Sequence, residues 1–191
     1  MFLLRRPGPD RIHRFLAAQR DRTFSYPEVG ASRTGAPEGY TVDHNRVRLG
    51  AGREAFDLAG KAVRSWTMFD LGWVEIHPAR RAIEAGTVVA VLIHHFGFWS
   101  LNACRIVYTA EETGAIERFG FAYGTLSDHG ERGEERFTVE WRHEDDSVWY
   151  DIYAFSRPSS PLAWLGYPLT RRLQKRFATD SKAAMTRSGG E

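Results

Sequence analysis

After Gly72 the chain carries six short stretches of β-branched and aromatic residues, at about 73–77, 87–96, 99–109, 117–126, 134–142 and 147–156. Turn residues separate them, and most gaps are too short to hold a crossover helix, so consecutive stretches must pair as an antiparallel meander. This pattern constrains the fold more than any other feature. A helix then closes the chain: in "PLAWLGYPLTRRLQKRFATDSKAAM", Leu162, Leu165, Leu169, Leu173, Phe177 and Ala184 recur as one stripe, with Pro161 or Pro168 suited to a first helical turn.

Upstream, Asp10 can cap a short helix carrying Ile12, Phe15, Leu16 and Gln19 on one face. Residues 21–39, "DRTFSYPEVGASRTGAPEG", read as an irregular strap or lid. "YTVDHNRVRL" then reads as a strand, and "REAFDLAGKAVRSWTMF" places Phe56, Ala59, Val63 and Trp66 at helical spacing. The division expected is an N-terminal helix and strap over 1–39 and one domain over 40–187. A curved antiparallel sheet has one face to bury and the last helix one stripe, so the expected class is α+β, a sheet of about seven strands wrapped on a long C-terminal helix. That plan leaves room for a cavity between sheet and helix. A β-sandwich or barrel with peripheral helices is the competing class.

The 191 residues, 42% of them apolar, suffice for one sizeable core. A net charge of +2, with 26 Lys and Arg interspersed among 24 Asp and Glu, makes no case for nucleic acid as a partner. The lone Cys104, the short apolar start "MFLLRR" and the lack of an apolar run near eighteen residues point to a soluble, cytoplasmic protein without integral membrane association. The abundant Trp and Tyr are compatible with a homodimer.

Alternation puts Phe119, Phe121, Tyr123 and Thr125 on one face of a strand, with Gly120, Ala122 and Gly124 on the other. In the next strand Phe137, Val139 and Trp141 point one way, while Arg136, Thr138, Glu140 and Arg142 point to water; Glu135 falls on the apolar face and Glu134 on the wet one. The intervening "SDHGERG" is explained by a hairpin loop. Alternatively, Tyr123, His129 and Glu135 meet at the open end of the sheet as catalytic candidates: acid, base and orienting group.

"LGAGREA" matches a dinucleotide fingerprint locally, but the strand before it is polar and no crossover helices follow, so a glycine-assisted strand-to-helix turn is the better reading. His94 and His95 point to opposite faces and no ligand set completes them, so neither metal nor cofactor is expected. Cys104 reads as a small core residue. Asn102, Arg105 and Asp151 lie in apolar strands and need partners, Arg105 with Asp151 or Glu135, or a ligand. Arg171, Arg172, Lys175 and Arg176 form a solvated edge, with an anionic membrane surface as the alternative.

"GFAYGTL…H…GEERF", "VWYDIYAFSRP" and the closing "P…R…Q.RFA.DS" resemble a widespread domain-of-unknown-function family, over about 40–187. Its architecture is similar to START-like helix-grip proteins, a superfamily of carriers of hydrophobic ligands, aromatic-ring cyclases and related modules. The resemblance carries over no catalytic residue. With the aromatic strands it implies a small hydrophobic or amphipathic ligand, bound by Asn102, Arg105, Phe121, Tyr123, Trp141 and Tyr153. The alternatives are a cyclase or hydrolase-like acid–base enzyme in the same cavity, and a protein-interaction module.

Overall fold

The computed structural model describes residues 1–79 and 81–189. Its strands are β1 (Phe2–Leu3), β2 (Thr41–Ala51), β3 (Val74–His77), β4 (Val88–His95), β5 (Phe98–Glu112), β6 (Ile116–Thr125), β7 (Glu131–Arg142) and β8 (Ser147–Pro158). The helices are α1 (Pro9–Gln19), α2 (Gly52–Arg64), α3 (Pro161–Leu165) and α4 (Tyr167–Gly189). The six stretches after Gly72 are β3 to β8, each paired antiparallel with its sequence neighbour. The sheet runs β2-β8-β7-β6-β5-β4-β3, so the first long strand closes beside the last. The two-residue β1, which sequence patterning did not flag, pairs with the start of β5.

Gly52 makes the turn from β2 into α2 at φ +80°, a conformation that L side chains rarely adopt. This places Phe56, Ala59 and Val63 on the inner face of the sheet. The short 3-10 turn Thr67–Phe69 follows. Trp66 packs 4.6 Å from Phe121, and Phe69 packs 5.3 Å from both Phe137 and Phe177. α4 lies across the same face through Leu173, Phe177 and Met185. The fold is a helix-grip.

The predicted stripe of the last helix holds at Leu173, Phe177 and Ala184, but Leu165 is 82% exposed and Leu169 44% exposed. The helix is interrupted at Gly166, so α3 and α4 do not share one helical phase. The side chain of Leu162 lies outside the described residues.

The outer face is also covered. Ile12 and Phe15 of α1 pack on Ala90, Leu92, Leu101 and Ala103. The strap crosses β6 to β8, with Tyr26 and Tyr40 edge-on to Phe155. Gly124 is required here, because a Cβ would overlap the Tyr26 hydroxyl.

Glu134, Thr138 and Glu140, expected to face water, are therefore buried. Glu134 is met by strap donors, and arginines of β6 and β2 pair Glu140: Arg118 Nε lies 2.9 Å and Arg46 Nη2 2.7 Å away. Asp151 takes Arg46, Arg136 and His44, not Arg105. Burial without such pairing would cost several kcal/mol per charge.

Candidate functional site

Inward-facing residues change size along the strands. At the α2 end they are Phe121, Phe137, Val139, Val148 and Tyr150, all fully buried. Toward the opposite end the inner face carries Ser100, Asn102, Cys104, Thr125, Ala154 and Ser156. α4 spans both ends, packing on the large residues at one through Phe177 and Met185, and at the other the small residues leave a void. A cavity of about 890 Å³ lies there between sheet and α4. Its apolar wall includes Phe69, Trp73, Val91, Ile93, Leu173 and Phe177.

Two of the polar groups on the wall belong to β7. Tyr123 Oη donates to Glu135 Oε2 at 2.9 Å. Burial pushes the Glu135 carboxyl up to about 7; the Tyr123 hydrogen bond opposes this, and the charges of Glu131 and Asp43 add to it. Burial, reinforced by the charge of Glu135, also raises the Tyr123 hydroxyl well above its usual value, so it stays a donor.

Glu131 lies four residues back on the same strand and receives Gln174 Nε2 at 3.0 and 2.9 Å from its two oxygens. Burial raises it to about 6, against the hydrogen bonds of Gln174 and Ser156 and the charge of Arg171. Arg171 itself makes a two-pronged pair with Asp43 and also donates to Gln174 at 2.7 Å.

His129 lines the cavity, but its hydrogen-bond partner is the Glu131 main chain, not Glu135. Nδ1 lies 3.0 Å from the Glu131 N–H and 3.1 Å from its carbonyl, so the ring can accept when neutral and donate when charged. Burial, with the N-terminal ammonium nearby, pulls His129 down to about 4. The imidazole is neutral at physiological pH, and the hydrogen bonds it makes go to the Glu131 main chain and not to Glu135. Tyr123 and Glu135 remain as a contacting pair.

The ligand-binding expectations divide by face. Asn102 and Tyr123 line the cavity; Asn102 Nδ2 donates to Ser100 Oγ at 3.2 Å. Arg105, one residue out of phase with Asn102 and Cys104, points to the outer face and donates to the main-chain carbonyls of Gln19 and Arg20 at 3.4 and 2.7 Å. Tyr153 is also outward, 5.5 Å from the His44 ring and 5.2 Å beneath the Arg136 guanidinium. Phe121 and Trp141 do face inward, but at the filled end: Phe121 is sealed under Trp66, and Trp141 packs on Phe56 and donates to Asp146.

Sequence reading missed Glu131, Gln174 and the Asp43–Arg171 pair. Beginning β7 at 134 assigned Glu131 to a loop, although counting back by twos from Glu135 through Gly133 puts it on the cavity face.

A model of the domain of unknown function DUF1990 matches residues 25–184. A UPF0548 protein of Dictyostelium discoideum is 35% identical over 209 residues, covering 100% of this chain and 96% of its own. Another from Deinococcus radiodurans is 36% identical over 203 residues, covering 100% of both. Among solved structures, a hypothetical protein from Helicobacter pylori matches with a TM-score of 0.54 at 11% identity, over 87% of this chain and 96% of that one. Human STARD10 matches with a TM-score of 0.48 at 11% identity, over 95% and 80%. With a family model spanning most of its length and two relatives aligned along all of it, the chain belongs to the DUF1990 family, a domain of unknown function.

Proposed function

We propose that this protein binds a small hydrophobic or amphipathic ligand in the cavity between the inner face of the sheet and α4. The observation that carries the reading is the cavity: about 890 Å³, mostly apolar walls, and a few polar groups converging at one end. Tyr123, Glu135 and Asn102 are the orienting groups in this reading. Val42 and Leu169, large exposed apolar residues on its wall, mark the entrance.

A second reading, an acid–base catalyst, draws on one specific observation. A carboxyl held near 7 beside a phenol can both donate and accept a proton at neutral pH. Glu135, not His129, then holds the proton.

Native mass spectrometry of freshly purified protein, followed by solvent extraction, tests the binding reading. The expected result is a stoichiometric apolar compound, depleted in Ala154→Phe, which narrows the cavity; an ordinary fold with no ligand in any preparation, and no uptake from an apolar ligand screen, would refute it. Turnover of the released compound that disappears in Glu135→Gln while binding persists would select the catalytic reading.

A further inference from the structure

On the reading that the cavity binds a ligand, we infer that this ligand is an organic cation: an apolar body bearing one protonated amine, whose ammonium sits against Glu135. The inference comes from the inventory of charges facing the cavity. Of the four carboxyls along it, Glu134 is turned to the strap and satisfied there, which leaves Asp43 from β2 and Glu131 and Glu135 from β7. Against them stands Arg171 of α4, committed to Asp43 through both terminal nitrogens and to Gln174. Lys175 is on the exposed surface at the rim. Gln174 and Ser156 satisfy Glu131 with neutral donors.

Glu135 is the carboxyl left over. Its Oε2 accepts from Tyr123, and among the described residues no donor reaches its Oε1. The side chain keeps accessible surface although protein surrounds it, because that surface opens into the cavity. The titratable groups around Glu135 are Tyr123 from β6, Cys104 from β5, Tyr150 from β8, and the Glu131 and Asp43 carboxyls. None of these is a cation.

An ionised carboxylate in such surroundings has three remedies: protonation, water, or a positive ligand. An ammonium restores the charged form and gains a short charge-assisted hydrogen bond. An anionic ligand meets three carboxyls and a guanidinium already engaged. A neutral alcohol can hydrogen-bond to Glu135 but leaves the charge imbalance in place. Binding of the cation releases the proton that Glu135 holds near neutrality, so the amine binds more tightly as the pH rises from 6 to 8.

Isothermal titration of the full-length protein separates these cases. The probes are 4-phenylbutylamine, 4-phenylbutanol and 4-phenylbutyrate, with the hexyl to dodecyl amine, alcohol and carboxylate series beside them. The expected result at pH 8 is an amine preference of at least tenfold over the alcohol of equal chain, with the carboxylate weakest. Glu135→Gln, which keeps an acceptor for Tyr123, removes that preference, so that amine and alcohol of equal chain bind within twofold of one another. In wild type, titration in buffers of different ionisation enthalpy reads out a released proton at pH 6. Alcohols or carboxylates binding as tightly as the amines would overturn the cation inference while leaving the cavity reading intact. Failure of every probe, neutral ones included, would overturn both.

Discussion

Glu134 and Glu135 are chain neighbours with opposite surroundings. Glu134, on the outer face, receives the Tyr26 hydroxyl at 2.6 Å, the Gly30 and Ser32 amides at 2.8 and 3.0 Å, and the Ser32 hydroxyl. One buried carboxylate thus gathers three positions of the strap. Glu134→Ala strands those buried donors, and the expected loss is roughly 3 kcal/mol of unfolding free energy in urea, with early proteolytic cleavage inside residues 21–39. A variant that unfolds at the wild-type midpoint with an intact strap would contradict this account. Alternation correctly separated Glu134 from Glu135, but it could not anticipate that the outer face is covered. The covering segment is non-periodic, and its attachment depends on main-chain amides that no residue-type pattern records.

At the level of elements, the strands were legible because β-branched and aromatic runs between turn residues leave few alternatives, and β3 to β8 fall where those runs do. The last helix was legible only in part. Its stripe was read through Gly166, where the helix actually breaks, so Leu165 and Leu169 were assigned to a core they do not reach. Arg105 shows the gain from counting phase strictly: two residues on one strand, Asn102 and Arg105, cannot both face a ligand in regular alternation. Its function is to hold α1. The guanidinium satisfies carbonyls at and just beyond the helix C-terminus, where four go without intrahelical partners. Arg105→Ala is expected to cost about 1 kcal/mol and to speed hydrogen exchange in the last turn of α1. Ligand affinity should stay unchanged, and a marked fall in it would return Arg105 to the binding site.

For the molecule as a whole, the cavity carries opposing pH dependences. Glu135 goes from 4.5 in the open chain to about 7 when folded, so the native state keeps a proton that the unfolded chain releases, and stability falls as the pH rises through that window. Glu131, raised to about 6, acts in the same direction. His129, lowered from 6.5 to about 4, acts in the other: the unfolded chain takes up a proton that the native state refuses, so stability falls as the pH drops. The variants separate what wild type superimposes. Relative to wild type, Glu135→Gln should gain stability from pH 4.5 to 7, and His129→Gln should gain it from pH 6.5 down to 4, each on the order of 2 kcal/mol. Variant curves running parallel to wild type in chemical denaturation across this range would mean that neither group is desolvated as described.

The gradient in side-chain size along the strands divides the labour of the molecule. Packing that the fold cannot do without, the Trp66, Phe69, Phe121 and Phe137 cluster, occupies one end, while the small and polar residues that line the cavity occupy the other. On the binding proposal, substitutions at Ser100, Asn102 or Ala154 would retune what the cavity accepts without disturbing that cluster. The packed half would then serve as a fixed frame for cavities of different lining.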